Sequence, residues 1–179
     1  MNTIYYSKYC SPIGNVFIGY LEDDIFKISF GKLKEKDFVW EIMLICSNYN
    51  IFNVKKRVLT SSIKDELASY FNGKHLNFNS KIKFLTGTNF QKSVWEEVRK
   101  IPYGTVVFYS DIAMKINAPN AVSAVGNATG ANPIPIIIPC HRVIRKNGNI
   151  GGFGLGIEMK IKLLKLEGLT INKNNIVNI

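Results

Sequence analysis

The sequence is short of cysteine, histidine and acidic side chains, and each shortage excludes something. Three cysteines, Cys10, Cys46 and Cys140, are an odd number at wide spacing. That pattern argues against a disulfide framework and for reduced thiols. Cys10 and Cys46 lie among apolar residues and are expected to be buried packing residues. The two histidines, His75 and His141, are scattered, and no His or Cys pair has zinc-ligand spacing, so no metal and no cofactor is expected. No apolar run approaches the ~20 residues that span a bilayer. The first residues, Met1-Asn2-Thr3-Ile4-Tyr5, lack the charged-then-apolar pattern of an export signal. A cytoplasmic, nucleoid-associated or nuclear location is therefore expected, and not secretion. Against 13 acidic residues stand 23 basic ones, a formal charge of +10 over 179 residues. This charge admits nucleic acid, an anionic membrane surface or an acidic protein as partner. The 46% hydrophobic content excludes a disordered basic tail.

The chain that remains reads as α+β. Ile4 to Tyr9, Val16 to Leu21 and Ile25 to Phe30 are rich in aromatic and β-branched residues and predict three strands, with turn residues between them. Asp37 to about Tyr49 has helical spacing. A second helix is expected with Ser62 as its cap, an apolar stripe of Ile63, Leu67, Tyr70 and Phe71, and Gly73 as its stop. Asn77 to Leu85 reads as extended. The composition changes near Gly87, where a domain boundary is placed: residues 1–87, then 88–170, then a frayed asparagine-rich tail at 171–179. Thr88 and Gln91 form a capping box for a helix whose face is Phe90, Val94, Val98 and Ile101. Ser110 is expected to cap a short helix to Ile116. Asn117-Ala118-Pro119 breaks it, and a second helix runs from Asn120 to Gly130, a helix-turn-helix. A last helix is expected from Ile157 to Glu167, with Ile157, Ile161 and Leu164 inward and Gly168 as its stop.

Five of the six prolines fall between residues 102 and 139. The stretch Asn132 to Pro139 is expected to be extended and stiff, because each proline fixes its own φ and restricts its predecessor. It delivers Cys140, followed at once by His141 and Arg142. A thiolate is the nucleophilic form of cysteine, and a neighbouring base or cation favours it. A reactive cysteine and a buried packing cysteine beside a satisfied histidine are both compatible with this adjacency.

The longer string decides between them. Asn132-Pro133-Ile134-Pro135-Ile136-Ile137-Ile138-Pro139-Cys140-His141-Arg142-Val143-Ile144 resembles the active-site signature of the O6-alkylguanine-DNA alkyltransferases, and its Pro-Cys-His-Arg-Val core is highly specific. The resemblance extends from Tyr70-Phe71-Asn72-Gly73 through Thr88–Tyr109 to Leu163-Leu164 and Glu167-Gly168. It implies an N-terminal ribonuclease-H-like domain, a small antiparallel sheet with helix, and a C-terminal winged-helix-like domain. It implies a single-turnover repair enzyme, a methylated-DNA–protein-cysteine methyltransferase, whose partner is double-stranded DNA containing O6-alkylguanine. By the same resemblance Cys140 accepts the alkyl group, His141 generates the thiolate through a water, Glu167 orients His141, and Asn132 braces the turn.

The base must leave the helix stack to be reached, and the family uses the second helix of its helix-turn-helix in the minor groove. Ala121, Ala124, Gly126, Asn127 and Gly130 are the implied DNA-facing positions there. The small residues of this helix, Ala121, Ala124, Gly126, Ala128, Gly130 and Ala131, would serve a tightly packed internal helix equally well. Tyr109 is implied to contact the flipped base and a phosphate, Val143 to offer its carbonyl to the guanine amino group, and Gly154 to offer an N–H near O6. Pro135 and Phe153 are implied to line the alkyl pocket. Lys115, Arg142, Arg145 and Lys146 are the candidate phosphate contacts. One position departs: where family members carry an arginine that fills the vacated stack, this chain has Ser123. A non-catalytic, alkyltransferase-like lesion binder is the alternative, but such proteins lack the cysteine. A winged-helix regulator leaves the proline–cysteine–histidine run unexplained, and a cysteine hydrolase lacks an evident oxyanion hole. A monomer is expected, because no long apolar seam is left over.

Overall fold

The computed structural model describes residues 3–49, 53–74 and 77–178. His75 therefore lies outside the described residues. The chain divides into two compact units, one built from Met1–Lys74 and Phe78–Thr86, the other containing Gly87–Ile179.

In the first unit, β1 (Thr3–Ser11), β2 (Gly14–Leu21) and β3 (Asp24–Phe30) form an antiparallel meander. Their alternating aromatic and β-branched residues suit a pleated surface. The polar stretch after the first helix adds a fourth strand, β4 (Asn53–Lys56), parallel to β1, giving the order β3-β2-β1-β4. The sheet is thus mixed. Its polar composition hid β4, because an edge strand needs main-chain pairing and little apolar surface. Helix α1 (Glu35–Ser47) buries Phe38, Ile42 and Cys46 against Ile4, Phe17, Leu21 and Phe26 of the sheet. Helix α2 (Ser61–Phe71) buries the expected stripe, and Phe71 stacks on Tyr9 with ring centroids 6.0 Å apart. Thr60 occupies its cap position, so Ser62 lies inside the helix. The stretch before Leu85 is extended and bridges β3 through Ile25 and Ile82. Cys46 is buried as expected, whereas Cys10 is exposed at the end of β1.

The second unit opens at Gly87, whose φ is +94° and which lies against the Trp95 ring, so a side chain there has no room. Helix α3 (Asn89–Arg99) begins with the Thr88–Gln91 capping box, and the Trp95 indole donates to the Ala128 carbonyl at 2.7 Å. Then come β5 (Val107–Phe108), α4 (Tyr109–Lys115), α5 (Val122–Gly130), a single 3-10 turn at Cys140–Arg142, β6 (Val143–Ile144) and α6 (Ile157–Leu166). Strands β5 and β6 pair in parallel. The start of α4 is fixed by the Asp111 carboxylate, which accepts from the Phe108 N–H at 3.0 Å. Ser110 therefore sits inside the helix and does not cap it. Ala121 is the residue before α5, half-buried at the cap position.

Three expectations are corrected here. The segment 132–139 is not extended: the Ile138 N–H returns to the Ile134 carbonyl at 2.9 Å, and Ile136 has φ +78°. Proline restricts itself and its predecessor but leaves Ile136 free to reverse the chain. The tail is not frayed. Ile176 bridges Asn149, Ile171 bridges Val177, and Val177 is buried with Ile144, Ile150 and Leu164. Its few apolar residues are enough to dock it, and Asn172 organises the turn by accepting from the Asn174 and Ile176 amides. On α6 Leu164 is buried and Ile161 packs half-buried on the same cluster as expected, but Ile157 is exposed, and Lys160 and Leu163 are buried instead.

Candidate active site

Asn132 builds the platform for the cysteine. Its side-chain N–H₂ donates to the Ile138 carbonyl at 2.8 Å and its oxygen accepts from the Ile134 N–H at 2.9 Å. Both ends of the proline-rich turn are tied to one side chain. Cys140 follows in the 3-10 turn, with its N–H on the Ile138 carbonyl at 2.8 Å. The cysteine is 5% exposed and sits in the wall of a cleft of about 580 Å³.

Behind Cys140 lies a closed ionic cluster. His141 is fully buried, and its Nε2 meets Glu167 Oε1 at 2.6 Å. Glu167, at the C-terminal cap of α6, also accepts from Arg142 Nε at 2.8 Å, from Arg142 Nη2 at 3.0 Å and from the Gly104 N–H at 3.1 Å. Arg142 further donates to the Ile101 carbonyl at 2.5 Å. It is 5% exposed. This corrects its assignment as a phosphate contact: the guanidinium is consumed internally in a bidentate pair.

The electrostatics follow from this packing. Burial would raise the Glu167 carboxyl, but the hydrogen bonds from His141 and Arg142 and the Arg142 charge hold it at about 2. Burial pushes His141 down, outweighing the pull of Glu167, so the resting imidazole is neutral and Nε2 carries the proton given to Glu167. Burial pushes the Cys140 thiol up, with Asn132 and Lys160 opposing it. The resting site thus holds a protonated thiol beside a neutral base.

The cleft gathers many of the expected residues. Tyr109, Ser123, Gly126, Asn127, Gly130, Arg145, Phe153 and Gly154 all line it with Cys140. A Cβ at Gly154 would sit 3.2 Å from the Gly130 carbonyl, and one at Gly126 would just touch the Tyr109 ring at 4.0 Å. The close backbone approach is thus at Gly154. The small residues of α5 divide: Ala128 packs inward and Gly126 is half-buried, while the others face outward. Ser123, Ala124, Asn127 and Gly130 are exposed, and the buried face is Val125, Ala128 and Thr129. That disposes of the internal-helix reading.

Other expected residues lie elsewhere. Pro135 is buried inside the turn, and neither it nor Val143, Ala121 or Ala124 is among the cleft's lining residues. Lys146 is exposed beyond the cleft, and Lys115 is exposed at a separate shallow groove with Lys92 and Glu96.

The sequence reading missed Val122, Thr129 and Gly152 in the cleft wall and, outside that lining, the buried Lys160. Lys160 is fully buried, donates to the Val143 carbonyl at 2.7 Å and is pushed down to about 8 by burial. A signal existed: Lys160 stands three and four residues before Leu163 and Leu164, on the inward stripe of α6. Among the described residues no group of three or more His, Cys, Asp or Glu could hold a metal. No described helix is long and apolar enough to cross a membrane.

Known proteins share this arrangement. Residues 4–84 match the family model of the 6-O-methylguanine DNA methyltransferase ribonuclease-like domain, and residues 89–169 match that of its DNA-binding domain. The methylated-DNA–protein-cysteine methyltransferase of Methanosarcina acetivorans is 39% identical over 165 residues, 92% of this chain and 99% of that protein. The Haemophilus influenzae protein of the same name is 36% identical over 93% of this chain and 88% of its own length. A crystal structure of Mycobacterium tuberculosis OGT in complex with DNA superposes with a TM-score of 0.76 at 33% identity, covering 91% of this chain and 92% of that one. With both family domains matched in order and the fold shared, this chain belongs to the methylated-DNA–protein-cysteine methyltransferase family.

Proposed function

We propose that this protein takes the alkyl group from O6 of guanine in double-stranded DNA onto Cys140, once per molecule. The carrying observation is the placement of Cys140 in the cleft wall, in the same 3-10 turn as the buried His141 that Glu167 holds at 2.6 Å. With Nε2–H committed to Glu167, Nδ1 is the ring nitrogen that accepts the thiol proton, directly or through a water. The Cys140 S–H bond breaks and the thiolate attacks the alkyl carbon. An S–C bond forms as the C–O6 bond breaks, and its electron pair leaves with guanine, which takes up a proton. Tyr109 is the donor assigned to that proton at guanine N3. Burial first, and then Cys140, push its phenol above the ordinary value, so it keeps the hydrogen it must donate.

The target base reaches the cleft by flipping, which costs a few kcal/mol of unstacking. The outward small-residue face of α5 is the surface assigned to the minor groove, and Gly154 is assigned to the guanine edge. Phe153 borders the alkyl group. Arg145 and Lys146 are assigned to phosphates. The protein acts as a monomer, in the compartment that holds the chromosome. A non-catalytic lesion binder of the alkyltransferase-like kind has no use for a thiol with a dedicated base, and Cys140 is present.

Incubation with duplex DNA containing O6-methylguanine, followed by peptide mass mapping, tests the reading. One methyl per chain on the Cys140 peptide is expected, and none in Cys140→Ala. A protein that binds the lesion and stays unmodified would sink it.

A further inference from the structure

The tail that docks on the C-terminal unit reaches one particular part of it. Residues 145–149 form a tight hairpin: the Arg145 N–H donates to the Asn149 carbonyl and the Gly148 N–H to the Arg145 carbonyl, both at 2.9 Å. Arg145, Lys146 and Asn147 are exposed on it, and Arg145 lines the cleft. A hairpin this short is marginal alone, and its outer edge would leave main-chain groups unpaired. The tail supplies the partners. The Ile150 N–H donates to the Asn175 carbonyl and the Val177 N–H to the Gly148 carbonyl, both at 2.9 Å, and Ile176 bridges Asn149. The tail is itself folded into a turn, with Ile171 bridged to Val177 and the Asn172 side chain accepting from the Asn174 and Ile176 amides. Val177 seats this turn in the cluster of Ile144, Ile150 and Leu164. Ile176 lies over Gly148, whose φ is +79° and where a Cβ would come within 3.1 Å of the isoleucine. Asn149 joins the tail to the cleft. Its side-chain oxygen accepts from the Gly151 N–H at 3.0 Å, where the chain turns into the cleft-lining Gly152, Phe153 and Gly154, and its side-chain N–H₂ donates to the Asn174 carbonyl at 3.5 Å.

We propose that residues 170–178 are a positioning element for DNA engagement, acting through Asn149 on the hairpin and on the cleft-lining loop that follows it. The proposal rests on the alkyl-transfer reading, in which that hairpin meets phosphates and that loop meets the guanine edge. With the tail seated, Arg145, Lys146 and the loop are held in place before DNA arrives, so less conformational entropy is lost on binding. With the tail displaced, the hairpin keeps only its own two main-chain bonds and DNA must order it, so affinity falls. The thiol chemistry is unchanged, because a different set of contacts holds it. Cys140 stands on the Asn132 turn, and His141 is held by Glu167, which Arg142 matches. None of those bonds includes a tail residue.

The test measures, in the full chain, affinity for an undamaged duplex, methyl transfer from DNA, and alkylation of Cys140 by iodoacetamide, with peptide mapping to separate it from Cys10 and Cys46. Val177→Asp puts a carboxylate among Ile144, Ile150 and Leu164 and should release the tail. Asn172→Ala loosens the tail turn without touching that cluster, and Val177→Ile keeps the tail seated. Fast hydrogen exchange at the Ile150 amide reports release. In both releasing variants the Kd for duplex DNA should rise roughly tenfold, while the saturating rate of methyl transfer and the alkylation rate of Cys140 stay within about twofold. Val177→Ile should match the unaltered protein. Coupling is reciprocal, so DNA should slow exchange of the Ile150 and Val177 amides in the unaltered chain, a readout that remains if Val177→Asp does not fold. Release of the tail with unchanged affinity overturns the proposal. So does a Cys140 alkylation rate that falls along with the affinity, an Ile150 amide that stays protected in both variants, or exchange in the unaltered chain that DNA leaves unchanged. Failure of the unaltered protein to take a methyl from DNA would instead overturn the alkyl-transfer reading, on which the affinity for undamaged duplex does not depend.

Discussion

The two units keep their charges in different places. Among the described residues of the N-terminal unit the buried interior is apolar apart from Ser7 and Ser29, and the ion pairs are at the surface: Lys27–Glu41 at 3.4 Å, Lys56–Glu35 at 2.7 Å and Arg57–Asp23 at 3.1 Å. In the C-terminal unit His141, Arg142, Lys160 and Glu167 are all buried. A surface pair contributes little, since water solvates each partner nearly as well. A buried charge costs several kcal/mol unless it is matched. Among the described residues, four such groups are inside one unit and none inside the other, so the desolvation cost falls where Cys140 is.

The largest effect expected is that of Cys140→Ala, which should abolish methyl transfer while leaving the unfolding midpoint close to that of the unaltered protein. A large stability loss would mean that the cysteine, and not the ionic cluster, holds the site together. Next is Glu167→Gln. It leaves Arg142 buried without its carboxylate and should destabilise the C-terminal unit by about 3–5 kcal/mol, read from hydrogen exchange of α6 amides. The pH dependence sharpens this. Glu167 falls from 4.5 to about 2 in the folded protein, so its stabilisation is complete above pH 4.5 and is lost as pH drops towards 2. That acid loss should vanish in Glu167→Gln. Ser123→Arg should come third. An arginine on the exposed face of α5 can fill the vacated stack, so duplex affinity and the single-turnover rate should rise several-fold without a stability change. Equal rates would show that another cleft residue already does this. The smallest effect belongs to the N-terminal unit. Asp23→Asn removes an ion pair whose acid is 87% exposed and should change stability by less than about 1 kcal/mol. A larger value would erase the contrast between the units.

Much of the fold was legible because local patterns and tertiary packing agree. The first three strands, the stripe of α2 and the capping box of α3 depend on neighbours within one turn or one pleat, and these appear where the periodicity puts them. The failures have a common cause. Strand β4 is held by main-chain bonds to β1, which composition does not encode. Ile136 reverses the proline-rich segment because the Asn132 side chain ties Ile134 to Ile138, a pairing that the proline spacing does not encode. The tail docks through Val177 onto a cluster whose other members lie at 144, 150 and 164. Arg142 looks like a surface cation beside Lys146, and only the position of Glu167, 25 residues on, turns it inward.

The sequence by itself determined the reactive cysteine, its histidine and the class of reaction, because a string as specific as Pro-Cys-His-Arg-Val is read without folding the chain. It also determined the departure at Ser123. The tertiary structure decided which cations face solvent and which are spent inside: Arg145 and Lys146 are exposed, whereas Arg142 and Lys160 are buried. Burial separates them: desolvation makes a cation near Cys140 felt through a low-dielectric interior, while the same charge at the surface is screened by water.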